Sequence, residues 1–363
     1  MSENPKQRSF GRFWAKAKQT ERFIPWPEAF NKGRVGVVLS NLGTPDAPTA
    51  PAIKRYLKEF LSDSRVIEIP KLLWWPILNG PILLARPRKL VPRYASVWMP
   101  EGSPLMVYTQ RQAQLVKQLF VARGMDVQVE VGMRYGNPSI GDAIKRLDSQ
   151  GCDHILIVPM YPQYASSTTA TVVDEVARVL GKMRDQPALR FIKRFHTDPR
   201  FISTLGNQIA RFWGAEGRPQ KLVMSFHGLP QQCVDLGDPY CRDSYETARA
   251  LANYLGLADD QYLVTFQSRF GPTKWLEPYT EPTLKRLAEE GVTEVDVVCP
   301  GFLADCLETL EEIQVEVRET FMHAGGKQFR YIPALNDNAE WIESFADLID
   351  THLQGWPVKT KQS

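Results

Sequence analysis

Short apolar, β-branched runs alternate along this chain with stretches whose apolar positions recur at helical spacing. Val35–Ser40 reads as a strand. It is followed by Thr49–Leu61, where Ile53, Tyr56, Leu57, Phe60 and Leu61 form a one-sided stripe, the signature of an amphipathic helix. The scheme returns in Val127–Val131, a helix over Ile140–Leu147 and a strand at Ile155–Pro159. It returns again in Leu222–Phe226, a helix near Ser244–Leu255, Tyr262–Gln267, a helix near Glu281–Glu290 and Val295–Cys299. A long helix from about Leu303 then leads to a strand at Phe329–Ile332 and a closing helix near Asn338–Leu353.

The strand runs are continuously apolar, as they are when helices cover both faces of a sheet. With β and α elements in alternation, the pattern predicts an α/β protein of two doubly wound, Rossmann-like domains with mostly parallel sheets. The boundaries expected are an extension over 1–33, a first domain over 34–160, a second over 161–335, and a closing segment over 336–363 whose helix packs back on the first domain. No internal sequence repeat is visible. Ligands of such folds sit at the carboxyl ends of strands. That rule selects the loops Asn41–Pro48, Met133–Pro138, His227–Pro230 and Pro300–Cys306.

Composition narrows the function. The chain has 363 residues, 43% hydrophobic and 23% charged, ordinary for a globular protein. A net charge of +3 gives no footprint for nucleic acid. The five cysteines form no Cys-x-x-Cys pair and no zinc-type cluster, which argues for reduced thiols in a cytoplasmic protein. The apolar run Leu72–Ala85 is broken by Pro76, Asn79, Gly80 and Pro81 and is too short to span a bilayer. Near the amino terminus, Lys6, Arg8, Arg12, Lys16 and Lys18 accompany Phe10, Phe13, Trp14 and Ala17 at i, i+3, i+4, i+7. That spacing fits a basic amphipathic helix on an anionic membrane surface, and a disordered tail or a transit peptide would share the composition.

Four groups of residues could carry chemistry. His227 follows the strand LVMSF and precedes Gly228-Leu229-Pro230, where an imidazole serves as metal ligand, as proton acceptor or merely as a strand cap. Glu308, Glu312 and Glu316 recur every four residues with Asp305 extending the series. They form either a solvated acidic face or a lane for cations and protons. Arg134-Tyr135 ends the strand VQVEV, placed to meet a carboxylate and an apolar ring or to form a structural ion pair. Trp74, Trp75, Ile77, Ile82 and Leu83, then Arg86, Arg88 and Lys89, make an apolar lip with a basic margin. Such a lip suits core packing, a large flat ligand bearing carboxylates, or lipid. The loop NLGTPDAP lacks both the G-x-G-x-x-G and the Walker patterns, so no nucleotide site is read there.

From about residue 34 to 353 the motifs NLGTPDAP, LLWWP, YASVW with GSPL, GMRYGNPS, YPQYASSTT, SFHGLP, GDPY, TFQSRFGPTKWLEPYT and PGFLADCLETLEEI resemble ferrochelatases of the Gram-negative bacterial type. The resemblance implies the chelatase-type fold. It implies insertion of Fe²⁺ into protoporphyrin IX, with release of two protons, as the last step of haem biosynthesis. Coproporphyrin as substrate, or non-catalytic binding of porphyrin and metal, are the alternatives. It places His227 and Glu308 on the metal-insertion face as catalytic groups and metal contacts, with Asp305 beside them and Glu312 and Glu316 continuing as a metal lane. Leu42, Tyr94, Ser103, Trp275 and Phe302 would line the porphyrin slot, Arg86 would meet a propionate, and Arg134 and Tyr135 would face the opposite side of the ring. The chain ends VKTKQS with no cysteine after Cys306, so no [2Fe–2S] cluster and no resident cofactor are expected; iron is a substrate. Leu42 and Cys306 stand where animal members carry methionine and histidine. The remaining expectations are a monomer, cytoplasmic and peripheral on the inner face of the membrane, touching it through residues 1–30 and 72–93. A metal-dependent hydrolase built on His227, Asp305 and Glu308 is a weaker reading, because it lacks a third closely spaced ligand.

Overall fold

The computed structural model of the chain describes residues 33–359 apart from 270 and 272. The expected amphipathic extension lies outside the described residues, as do the last four positions. From Arg34 onward the chain is one compact unit.

Two four-stranded sheets, each wholly parallel, organise it. The first contains β1 (Arg34–Gly43), β2 (Val127–Tyr135), β3 (Cys152–Pro159) and β4 (Ala188–Phe191) in the order β2-β1-β3-β4. The second contains β5 (Lys221–His227), β6 (Tyr262–Gln267), β7 (Glu294–Val298) and β8 (Gln328–Tyr331) in the order β6-β5-β7-β8. Topology thus repeats where sequence does not. In each sheet the order reverses beside the first strand, which puts a ligand crevice at the ends of β1 and β3 and another at the ends of β5 and β7.

The helices are α1 (Ala50–Phe60), α2 (Lys71–Ile77), α3 (Leu83–Val97), α4 (Pro104–Ala122), α5 (Ile140–Ser149), α6 (Thr171–Leu180), α7 (Pro199–Glu216), α8 (Gln231–Asp235), α9 (Tyr240–Leu255), α10 (Thr280–Glu289), α11 (Arg318–His323) and α12 (Ala339–Leu353). Three π-helical segments join them, Leu78–Ile82, Ser166–Ala170 and Glu308–Val317. One apolar core runs from Val35, Val37 and Leu39 of β1 through Trp341 and Phe345 of α12 to Leu222 and Met224 of β5, tying the sheets together. Outer cores lie under α5 and α6 and under α10 and the last π-helix. Gly43 permits one close approach: a Cβ there would sit 1.7 Å from the Tyr135 carbonyl, and its φ is +108°.

Three features differ from the pattern reading. The first sheet does not end near residue 160, because β4 pairs with β3 at His154–Ile157, so the crossover falls in the segment leading to α7. The strand β4 is short and half-exposed, and α4 buries Thr109 and Gln112 among its apolar residues, which erases the stripe that would announce it. Finally, no α-helix starts at Leu303. Residues 303–306 are irregular, and Glu308–Val317 is a π-helix running into α11. The closing helix α12 lies against α4, α7 and β3.

The lip comprises α2, the π-turn and α3, punctuated by Pro76, Pro81, Pro87 and Pro92, each of which removes a backbone donor. Its two tryptophans part company. Trp74 is buried and donates to the Leu61 carbonyl at 2.7 Å, whereas Trp75 is 67% exposed beside Leu72 at 91%.

Candidate active site

His227 is the last residue of β5, exposed at the strand end and paired with Gln267 of β6. Its Nδ1 lies 2.7 Å from the Gly228 carbonyl. A carbonyl can only accept, so Nδ1 carries the proton and Nε2 presents a lone pair. Gly228 donates its N–H to the Gln267 carbonyl at 2.7 Å; a Cβ on it would come within 2.6 Å of that oxygen and 3.2 Å of the Trp275 ring. Glycine therefore lets Trp275 close against the turn that carries the imidazole.

Gln267 holds the second group as well. Its buried amide nitrogen donates to the Glu308 backbone carbonyl at 2.9 Å, while its oxygen accepts from Ser225 at 2.7 Å. One residue thereby joins the His227 turn to the first turn of the π-helix. The Glu308 carboxylate lies near Tyr94 of the lip and near Cys306. Burial pushes the Tyr94 hydroxyl and the Cys306 thiol up, and in both cases the Glu308 charge comes next as a cause.

Farther along the π-helix, Glu312 accepts from the Ser268 N–H at 2.7 Å and from the Ser268 hydroxyl. Burial raises its pKa above the ordinary value, opposed by the Ser268 hydroxyl and then by His227. Glu316 does not continue the line. In a π-helix the bonds run i→i+5, so positions four apart drift around the axis. Glu316 instead meets Arg93 of α3, as does Glu311 at 3.4 Å, five residues before it. The pKa of Glu311 is raised, first by burial and then by the Glu316 charge. Sequence spacing singles out 308, 312 and 316; the π-helical pitch adds 311.

Asp305 is placed differently from the expectation. Its carboxylate accepts from Tyr331 at 2.6 Å, Asn336 at 2.6 Å, Thr309 at 3.0 Å and the Ala334 N–H at 3.3 Å. It is 3% exposed and pins the turn before the π-helix, so it does not extend the Glu308 face.

The expected slot residues also divide. Leu42, Tyr94 and Tyr135 share an apolar cluster with Trp98 and Leu307, which spans the lip, the end of β1 and the start of the π-helix. Arg134 and Tyr135 are bound inward: both donate to Asp63, Tyr135 at 2.9 Å, and the guanidinium lies 4.4 Å from the ring centre. Ser103 caps α4, its hydroxyl accepting from the Met106 N–H at 3.3 Å. Phe302 leans on the outer core of the second sheet. Arg86 is half-buried on α3 near Tyr94, and burial lowers its pKa. Pattern reading missed Tyr161, whose buried hydroxyl has no partner. Its place just past the end of β3 is the signal that could have found it.

One His/Asp/Glu triad among the described residues has ligand atoms within 4.8 Å of one another, His196, Asp243 and Glu246. Arg194 already occupies Asp243 at 2.9 and 3.2 Å, which makes the cluster an ion network. His227, Glu308 and Glu312 do not form such a cluster among the described residues.

Two wholly parallel sheets of like strand order, tied by one apolar core, define a chelatase-type fold. The solved structure of SirB from Bacillus subtilis with Fe³⁺ has a similar fold, with a TM-score of 0.53 at 13% identity, covering 87% of this chain and 94% of that one. The ferrochelatase family matches residues 34–353, so the chain belongs to the ferrochelatase family and is a metal chelatase. A ferrochelatase of Bordetella pertussis is 65% identical over 332 residues, 92% of each chain. One of Dechloromonas aromatica is 55% identical over 344 residues, 93% of this chain and 94% of its own.

Proposed function

We propose that this chelatase inserts Fe²⁺ into protoporphyrin IX, giving protohaem and two protons, as the terminal step of haem biosynthesis. The observation that carries the reading is the Gln267 bridge, which ties the strand end bearing His227 to the backbone of Glu308.

Two pyrrole N–H bonds break and the metal–nitrogen bonds form, so the site must hold an apolar macrocycle and take up two protons. Nε2 of His227 accepts a proton or passes the metal, and Glu308 shares either task. Glu312 and then Glu311 and Glu316 lead outward, and their raised proton affinity at 311 and 312 suits a relay. Leu42, Tyr94, Tyr135 and Trp275 supply walls for the ring; a close wall that favours a ring bent toward its metallated shape would speed insertion. Arg86, at the lip's basic margin, is suited to a propionate. Asp305 and Ser103 support the fold of the site rather than the chemistry. Iron enters and leaves as substrate and product.

The exposed lip, with Leu72, Leu73, Trp75 and Leu84 beside Lys71, Arg88 and Lys89, fits a monomer working on the cytoplasmic surface of a membrane. No helix among the described residues is long and apolar enough to cross one.

The test is anaerobic mixing of the protein with protoporphyrin and Fe²⁺ or Zn²⁺ while recording the absorption spectrum. Growth of metalloporphyrin bands is expected. A shifted but metal-free spectrum would mean a porphyrin carrier, and faster metallation of coproporphyrin would replace the substrate named above.

A further inference from the structure

The otherwise apolar runs of β5 and β6 carry Ser225, Thr265 and Gln267, and all three polar side chains are buried. A polar group taken out of water is a cost unless it finds a partner. Ser225 is in register with Thr265, and Gln267 follows Thr265 by two residues, so the three share one face of the sheet. Thr280, the first residue of α10, closes the group. Its hydroxyl lies 2.8 Å from that of Ser225 and 3.0 Å from that of Thr265. The protons settle which way the Gln267 amide faces. A backbone carbonyl can only accept, so Nε2 is the atom 2.9 Å from the Glu308 carbonyl. Oε1 is left facing two donors, the Ser225 hydroxyl at 2.7 Å and the Cys299 thiol at 3.5 Å. Turned over, the amide would set one acceptor against another at Glu308.

We infer that Ser225 is a positioning residue for metal insertion: by donating to Oε1 it locks the Gln267 amide in the orientation that ties Glu308 to the strand end bearing His227. This rests on the metal-insertion reading above. The hydroxyl of Ser225 bonds with Gln267 and Thr280, so its influence on the chemistry passes through the Gln267 side chain. The threonines behind it strengthen the chain, because linked hydrogen bonds polarise one another away from water.

The test is a double-substitution cycle on the full chain, comparing Ser225→Ala, Gln267→Met and the pair. Zn²⁺ and protoporphyrin are the substrates, and kcat, KM and Tm are measured. Methionine keeps the length of the glutamine and removes its amide. Each single variant is expected to lose about tenfold in kcat, the worth of one well-placed hydrogen bond, with KM for the porphyrin within about twofold. The pair is expected to lose no more than Gln267→Met alone, since Ser225 has no route to Glu308 once the amide is gone. Losses that multiply in the pair would overturn the inference. So would a Ser225→Ala chain with a lowered Tm and unchanged kcat, the result of a serine that merely supports the fold. Where alanine leaves no folded protein, Ser225→Cys takes its place in the cycle. Its weaker S–H donor is expected to cost about threefold in kcat alone and nothing beside Gln267→Met. Full activity of the single cysteine variant, or a further loss in its pair, would overturn the inference. Failure of the unsubstituted chain to metallate porphyrin would instead count against the function proposed above.

Discussion

At the scale of single residues, the proposed chemistry falls to some groups and their placement to others. His227 has a free Nε2 lone pair because its Nδ1–H is spent on the Gly228 carbonyl. His227→Ala is expected to lower turnover by at least about 10²-fold, the typical share of a positioned acid–base group, while porphyrin binding measured by fluorescence quenching persists. Retained turnover would remove the imidazole from the mechanism. Glu308→Gln should cost several-fold more activity than Glu316→Gln, because Glu316 pairs with Arg93 at the rim and Glu308 faces Tyr94 and Cys306 within. Equal small losses would mean a solvated acidic face. Glu311 allows a stability measurement. Its folded-state pKa is raised above 4.5, so its contribution to stability is full below that value and is lost as pH rises through the folded value. At pH 7 the buried charge is a cost. Glu311→Gln should therefore raise Tm at pH 7, with the gain fading as pH falls through the folded value toward 4.5; a gain independent of pH would contradict the assignment.

At the scale of elements, the π-helix and the lip decide access. Leu42, Tyr94, Trp98 and Leu307 pack together in one cluster, so a macrocycle entering between them must displace α3. Arg93, reaching from α3 to Glu311 and Glu316, resists that movement. The pair is half-exposed and worth only about 1 kcal/mol at most, small enough to open in every cycle. Arg93→Gln should speed limited proteolysis of the lip and lower KM for the porphyrin, with kcat changed less than twofold or so; proteolysis at the original rate would show that the lip is held by its apolar contacts alone. These elements also mark the limit of what the sequence reveals. The β-strands flanking the site are legible, since continuous apolar runs ending in Ser-Phe-His-Gly or Tyr-Pro-Gln-Tyr can be little else. The spacing Glu308-Glu312-Glu316 reads as an α-helical face because a four-residue recurrence fits 3.6 residues per turn. Nothing local in ETLEEIQVEV announces the i→i+5 pitch that sends Glu316 to Arg93 and brings in Glu311. Asp305 reads as one more acid of the series, and only the tertiary positions of Tyr331, Asn336 and Ala334 turn it inward. The lip tryptophans are adjacent in sequence, so composition alone cannot tell that one is buried and the other bare.

At the scale of the whole molecule, two sheets share one strand order, and the groups proposed for the chemistry divide between them. The second sheet supplies His227, Gln267 and the π-helix acids; the first supplies Leu42, Tyr135 and Tyr161 from its strand ends and carries the lip on the connection between β1 and β2. The lip's inner face lines the site and its outer face is bare apolar surface, so a ring that partitions into lipid could pass from one to the other without crossing bulk water. Burying Leu72 and Trp75 in an interface is worth roughly 1.5–3 kcal/mol each, and each lysine or arginine near anionic headgroups adds about 1 kcal/mol. Leu72→Ser with Trp75→Ser is therefore expected to weaken sedimentation with anionic phosphatidylglycerol vesicles at least about tenfold, and removal of residues 1–30, with their six lysines and arginines, to weaken it further. Raising salt should erode the second effect and spare the first, since Debye screening acts on charge and not on apolar burial. Turnover with detergent-dispersed porphyrin should stay within about twofold, because neither side chain touches the His227–Gln267–Glu308 bridge. Vesicle binding that survives both changes would leave the bare lip without a membrane role, and a parallel loss of detergent-phase turnover would place Trp75 in the site itself.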